Sequence, residues 1–254
     1  VLDRLPSRQA LRDTLSGLCH RAEDTAPVLH SFKNDQQLGV GVRDVLGKEE
    51  ISAITGTLSD IAEACLEQIA AREYERLAKK FGHPTLACGA RRGARCEMAI
   101  LALGKFGGRE MNYHSDLDVV FLYEEEGQTA HAEFGGKETT SNQHFFGELG
   151  QRIIKVTSRL SSHGRLYEID ARLRPTGKSG MLATSLVEFA RYFASGDGQL
   201  WERQALTKAR VVCTSPEMAE KTARVAAAAA FDRPFTRSDA EAIRQMRRRM
   251  EGTA

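Results

Sequence analysis

From Met98 to Tyr123 the chain reads MAILALGKFGGREMNYHSDLDVVFLY. Two apolar runs of strand length enclose a polar turn that holds adjacent glycines and two aspartates separated by one leucine. Strand side chains alternate between faces, so Asp116 and Asp118 project to one side and Leu117 to the other, with the two Cα atoms about 7 Å apart. Two like charges held that close at the mouth of a buried strand repel one another. Either both are solvated at the strand end, or something positive sits between them.

The surroundings of the pair favour a bound cation and phosphate. Gly107 and Gly108 lie before a tight turn, where lack of a side chain lets backbone N–H groups approach an anion. Lys105 adds a positive charge beside them. A Walker A loop is excluded: GKF carries Phe106 in place of the hydroxyl, and GKS at Gly177 to Ser179 has Arg172 where the first glycine belongs. Paired carboxylates suit Mg²⁺, which takes oxygen ligands and is commonly shared with substrate phosphates. Two such ions stand about 3.5–4 Å apart in in-line displacement sites and call for further acidic ligands. RLYEIDARLRP supplies them: if it stays extended, Glu168, Asp170, Arg172 and Arg174 share one face. One strand then offers an acid to a metal and guanidinium forks to phosphate oxygens. Ser115 either touches a phosphate or caps the turn. Trp201 and Glu202 could border the site, although a lone Trp is more often core.

Around this block the chain reads as helices, an α/β core, then helices, with expected bounds of 1–97, 98–212 and 213–254. Leu11, Leu15 and Leu18 follow a possible cap at Ser7, and Ile54, Leu58, Ile61, Cys65, Ile69 and Leu77 recur at helical spacing. GVGVRDVLG has Asp44 where a dinucleotide fingerprint needs its third glycine. Strands are expected at Met98–Leu103, Asp118–Tyr123 and RLYEID, a helix from Ser141 to Leu160, and a loop or hairpin at EEEGQTAHAEFGGKETT. Ser185 with Glu188, Ser215-Pro216, and Ser238 with Glu241 open three more helices.

Composition narrows the class. The 254 residues are 41% hydrophobic, with 36 Lys+Arg against 34 Asp+Glu. That balance carries no nucleic-acid footprint, and RQMRRRM reads as a solvated helix face. No run is long enough to span a bilayer and no signal sequence is present, so no membrane partner and a cytoplasmic location are expected. Five scattered cysteines read as free thiols. Cys88, Cys96 and His83 lack the tight ligand pair of a zinc site. Val1 stands where a methionine would, which suggests a piece of a longer protein.

A GG turn, a DxD pair and a distant third Asp resemble the nucleotidyltransferase superfamily that includes DNA polymerase β. The strings GKFGGREMNYHSDLDVVFLY, YEIDARLRPTGKSGMLATS and WERQALTKARVV resemble the glutamine synthetase adenylyltransferase family over about Met98 to Val212. The resemblance implies an α+β fold: a mixed-sheet nucleotidyltransferase core flanked by N- and C-terminal helices. It implies that Asp116 and Asp118 bind two Mg²⁺ ions and that Asp170 is the third carboxylate, helping to deprotonate a tyrosine of glutamine synthetase. That tyrosine attacks the α-phosphorus of ATP, and Lys105, Arg172 or Arg174 stabilises the leaving pyrophosphate. YEIDARLRPTGKSGM looks like the C-terminal, adenylylating domain, because the removing domain has a variant around MRLRP and GP in place of GM. The alternatives are that removing twin, which releases AMP by phosphorolysis as ADP, and a silent nucleotide-sensing or docking module. Control by a PII signal protein and glutamine is also implied.

Overall fold

The computed structural model describes residues 4–20, 22–131, 138–161, 164–175, 177 and 180–252. Three helices open the chain: α1 (Arg8–His20), α2 (Ala26–Val45) and α3 (Ile51–Phe81). Ser7 caps α1, its Oγ accepting from the Ala10 N–H at 3.2 Å. Leu11 and Leu15 are buried against the core, whereas Leu18 is exposed. GVGVRDV lies inside α2. At 31 residues α3 is the longest helix among the described residues, about 46 Å at 1.5 Å per residue. Ile54, Leu58, Ile61, Cys65, Ile69 and Leu77 are all buried along it.

Helix does not continue to Glu97 as expected. After Phe81 come a two-residue strand β1 (His83–Pro84) and a turn-rich stretch. The core follows, with β2 (Met98–Ala102), a short helical turn α4 (Gly104–Gly107), β3 (Leu117–Tyr123), β4 (Thr129–Ala130) and α5 (Asn142–Ser158). β1 pairs with β4 to one side of the main sheet. Ser141 caps α5, accepting from the His144 N–H at 3.2 Å. The loop expected after Tyr123 contains β4, and its residues 132–137 lie outside the described residues. The chain continues with β5 (Ile169–Asp170), β6 (Ala183–Ser185), α6 (Leu186–Ala194), α7 (Leu200–Leu206), β7 (Arg210–Val212), α8 (Pro216–Phe231) and α9 (Arg237–Glu251).

In the mixed five-stranded sheet, β2 is flanked by antiparallel β3 and β7. The outer edge of β3 carries two parallel neighbours, β5 along its first residues and β6 along its last. Alternation assigns the faces. Leu117, Val119, Phe121 and Tyr123 join Ile100 and Ala102 in a core shared with α1, α2, α3 and α5. Val120 and Leu122 join Ala99 and Leu101 against α6 and α8. Full burial of a side chain such as Phe121 stabilises the fold by about 2–3 kcal/mol. The fold is therefore α+β, with the sheet between two helical layers.

Of the three caps expected from β6 onward, two agree with the sequence and one does not. Ser185 accepts from the Glu188 N–H and Ser215 from the Met218 N–H, both at 3.3 Å. Helix α9 is opened by Thr236 rather than Ser238. The Thr236 N–H donates to Asp239 at 2.8 Å, and the Asp239 N–H donates to the Thr236 hydroxyl at 3.2 Å. That reciprocal box satisfies two donors at once, so it sets the start of the helix. No helix among the described residues is long and apolar enough to cross a membrane.

Candidate active site

The end of the sheet where β2 leaves and β3 enters gathers the acidic residues. Leu117 and Asp118 pair in parallel register with Ile169 and Asp170. The Leu117 N–H donates to the Glu168 carbonyl at 2.8 Å and the Leu103 N–H to the Asp118 carbonyl at 2.9 Å. Register partners on adjacent strands, about 4.8 Å apart, carry their side chains on the same face. Asp118 and Asp170 are thus brought together, and Asp116 lies exposed just before β3. Burial is the chief cause that raises the Asp118 carboxyl above its ordinary pKa, followed by the charges of Asp170 and Asp116. Arg172 and Lys105 oppose the shift. Two carboxylates and two cations therefore act on Asp118.

Gly104 belongs to this constellation although the sequence did not single it out. Its φ of +55° is left-handed, and a Cβ there would stand 2.3 Å from Asp118 Oδ2. Only glycine allows the turn to close against that carboxylate. Gly107, expected to cradle an anion, is buried instead. Its Cβ would meet the carbonyl oxygens of Lys208 at 2.3 Å and Ala102 at 2.6 Å, so backbone packing accounts for this glycine. Gly108 is exposed next to it, beside the Glu110 carboxylate, and Lys105 is exposed on the same turn.

The strand-parity expectation fails beyond Asp170. β5 ends there, so Arg172 and Arg174 are not carried along one extended face. Arg172 turns back onto Asp170. Its Nε lies 2.9 and 2.8 Å from the two carboxylate oxygens, and its backbone N–H donates to Oδ1 at 2.9 Å. Arg174 faces its own loop, where Nη1 donates to the Ala171 carbonyl and Nε to the Gly180 carbonyl at 3.4 Å. Glu168 pairs with Arg165. Ser115 closes its turn: Oγ accepts from the Asn112 N–H at 3.0 Å and donates to Asn112 Oδ1 at 2.7 Å. The Glu202 carboxylate accepts from the Tyr192 hydroxyl at 2.9 Å and the Gln199 N–H at 2.7 Å, while Trp201 is 40% exposed. Lys178 and Ser179 of the GKS string lie outside the described residues.

Comparison with known proteins gives the family. The family model described as glutamate-ammonia ligase adenylyltransferase matches residues 4–225. The chain belongs to that family. Among curated relatives, the bifunctional glutamine synthetase adenylyltransferase/adenylyl-removing enzyme of Shewanella oneidensis is 34% identical over 228 residues, 90% of this chain and 24% of that protein. Its namesakes from Thioalkalivibrio sulfidiphilus and Burkholderia mallei are 32% and 36% identical, over 92% and 72% of this chain and 23% and 19% of their own lengths. The chain thus spans about a quarter or less of the curated relatives it matches. In this family member the match takes in α1 to α3 as well as the sheet.

The donor chemistry at the sheet end fits a hard divalent cation. Asp116, Asp118 and Asp170 offer only carboxylate oxygens, and the pKa of Asp118 is raised first by burial and then by the charges of Asp170 and Asp116, against the opposing pull of Arg172 and Lys105. Among the described residues, no three carboxylate, imidazole or thiol groups stand at the spacing of a closed metal site. The Arg172 fork takes up Asp170 instead.

Proposed function

We propose that this chain transfers AMP from ATP to a tyrosine of glutamine synthetase, releasing pyrophosphate, in the control of nitrogen assimilation. The observation that carries the reading is the in-register pairing of Asp118 with Asp170 beside the Gly104–Lys105 turn, with Asp116 close enough to act on Asp118. Residues 98–212 form the catalytic core in this reading, and a PII signal protein is the regulatory partner. The names of the relatives support glutamine synthetase as the target. The string YEIDARLRPTGKSGM favours attachment over removal.

Asp116, Asp118 and Asp170 would hold Mg²⁺, which when bound supplies charge neutralisation to the triphosphate. The chain's own groups do the rest. A tyrosine phenol has a pKa near 10 and is mostly protonated at neutral pH. Asp170 accepts that proton as the phenolic oxygen forms its bond to the α-phosphorus. The bond from the α-phosphorus to the bridging oxygen breaks, and pyrophosphate carries away the electron pair. Lys105 and Arg172 would stabilise its charge, Arg172 first releasing Asp170. Arg174, committed to the carbonyls of Ala171 and Gly180, ties those two residues together.

The test is incubation of the chain with glutamine synthetase, ATP labelled at the α-phosphate, and Mg²⁺. Label on tyrosine together with free pyrophosphate is expected. ADP formed from adenylylated glutamine synthetase and phosphate would instead assign the removing activity. Nucleotide binding with no turnover in either direction would mark a silent module.

A further inference from the structure

Behind the turn that carries Gly104 and Lys105, two guanidinium–carboxylate bridges run to α3. Arg109, just past the glycine pair, is itself left-handed at φ 57°. Its Nη1 lies 2.5 Å from Asp60 Oδ1 and its Nη2 2.9 Å from Asp60 Oδ2, and Nη2 also reaches the Gly56 carbonyl at 3.4 Å. Arg210, paired across the sheet with Ala102, bridges to Glu63. The same guanidinium donates to the Phe106 carbonyl at 3.1 Å and the Gly107 carbonyl at 3.3 Å. Asp60 and Glu63 are three residues apart on α3 and share one side of it. Both are buried, and Glu63 also takes Arg8 and Arg12 of α1.

The two bridges seize one short turn, at Phe106, Gly107 and Arg109, from behind. The front of that turn touches Asp118 so closely that no Cβ fits at Gly104. A left-handed arginine persists only where its surroundings over-determine it, and here Asp60 and the Gly56 carbonyl do so. We infer that Asp60 and Glu63 are positioning residues for nucleotidyl transfer, fixing the Gly104–Arg109 turn against Asp118 through Arg109 and Arg210. This rests on the reading of the sheet end as a nucleotide site. Geometry errors of about 1 Å near a reacting centre can cost on the order of 100-fold in rate, so a clamp on the turn has kinetic weight that burial alone does not confer.

The test uses the chain with Asp60→Asn, Arg109→Lys and Arg210→Lys. Each keeps side-chain size or charge but loses a fork. Three quantities are read: melting temperature, hydrogen exchange without nucleotide, and affinity for a Mg²⁺ complex of a non-hydrolysable ATP analogue. The Gly107, Gly108 and Glu110 amides are the probes, since they donate to Leu103, Gly104 and Lys105 within the turn. Their exchange should rise about tenfold or more while amides of β2 and β3 hold, as expected for local opening. Analogue affinity should fall about tenfold and KM for ATP rise by more than kcat falls. Combining Asp60→Asn with Arg109→Lys should add little to either alone. Folded variants with wild-type turn exchange, or with wild-type analogue affinity, would overturn the inference. Failure of the nucleotide reading itself looks different: the wild-type chain would bind no analogue, while turn exchange would still respond to Asp60→Asn.

Discussion

Two acidic clusters flank the same turn, and they are neutralised in opposite ways. Asp60 and Glu63 come from the helix covering one face of the sheet. Each meets at least one arginine, and Glu63, wholly buried, meets three. Asp118, by alternation, belongs with Val120 and Leu122 on the other face. There it meets two further carboxylates, and the nearby Arg172 is committed to Asp170. The contrast also shows in titration. Asp60 raises the pKa of the Arg109 guanidinium through its hydrogen bonds, favouring the charged form, whereas burial and its neighbours raise that of Asp118, disfavouring its charge. Matched charge holds a scaffold together. Unmatched charge at a sheet end is a place for a cation to enter.

The sharpest way to break the comparison is Asp118→Asn. The change keeps shape and removes the charge a cation needs, so AMP transfer should fall by about 10³-fold or more, roughly 4 kcal/mol of transition-state stabilisation. The fold should remain intact by circular dichroism. Near-wild-type transfer would reject a metal role for Asp118. Next in size is Glu63→Gln, which leaves three half-buried guanidinium groups short of charge around a buried position. Removing one partner of a buried ion pair costs about 3–5 kcal/mol. Its melting temperature should fall on the order of 10 °C, and an unchanged melting curve would show that Glu63 stabilises nothing.

The contrast also explains what could be seen in the sequence. The strand that begins beside Asp118 was legible from its apolar run, whereas the pairing of β5 with β3 that sets Asp170 beside Asp118 is long-range. The caps at Ser7, Ser185 and Ser215 were legible because each hydrogen bond spans three residues. Arg174 was misplaced because β5 ends at Asp170, and strand ends depend on neighbours far along the chain. Asp60 and Glu63 were missed for a related reason. On a helical pattern they are ordinary polar positions, and Arg210, which buries Glu63, comes 147 residues later. Gly107 and Gly104 traded places, since the adjacent GG pair drew the eye while the critical φ and close contact lay three residues earlier.

Gly104→Ala sharpens the boundary between the two clusters. A left-handed non-glycine residue costs about 1–2 kcal/mol, and the new Cβ must push the Asp118 carboxylate away. A melting temperature lower by about 3–6 °C is expected, with transfer falling further than stability alone would explain. Full specific activity in the folded variant would show that the contact between Gly104 and Asp118 is incidental.

The smallest effect is the most diagnostic, because its sign differs from that of a salt-bridged acid. The Asp118 pKa is raised in the folded protein above its ordinary 3.8. Below that ordinary value the carboxyl is protonated in both folded and unfolded chains, so wild type and Asp118→Asn should then be equally stable. As pH climbs from there through the folded pKa, the unfolded chain releases its proton first and wild-type stability falls; above the folded pKa the deficit is complete. The metal-free Asn variant should therefore melt on the order of 1–2 °C above wild type near pH 7, an advantage that fades towards pH 4. Adding Mg²⁺ should reverse the order at neutral pH, since a cation bound to the folded state stabilises only the chain that retains the charge. Asp60→Asn should behave oppositely, lowering the melting temperature at neutral pH because Arg109 loses its anionic partner. If the Asn variant at position 118 melted lower than wild type without metal, the sheet-end carboxylates would already be neutralised by the protein, and the two clusters would be alike.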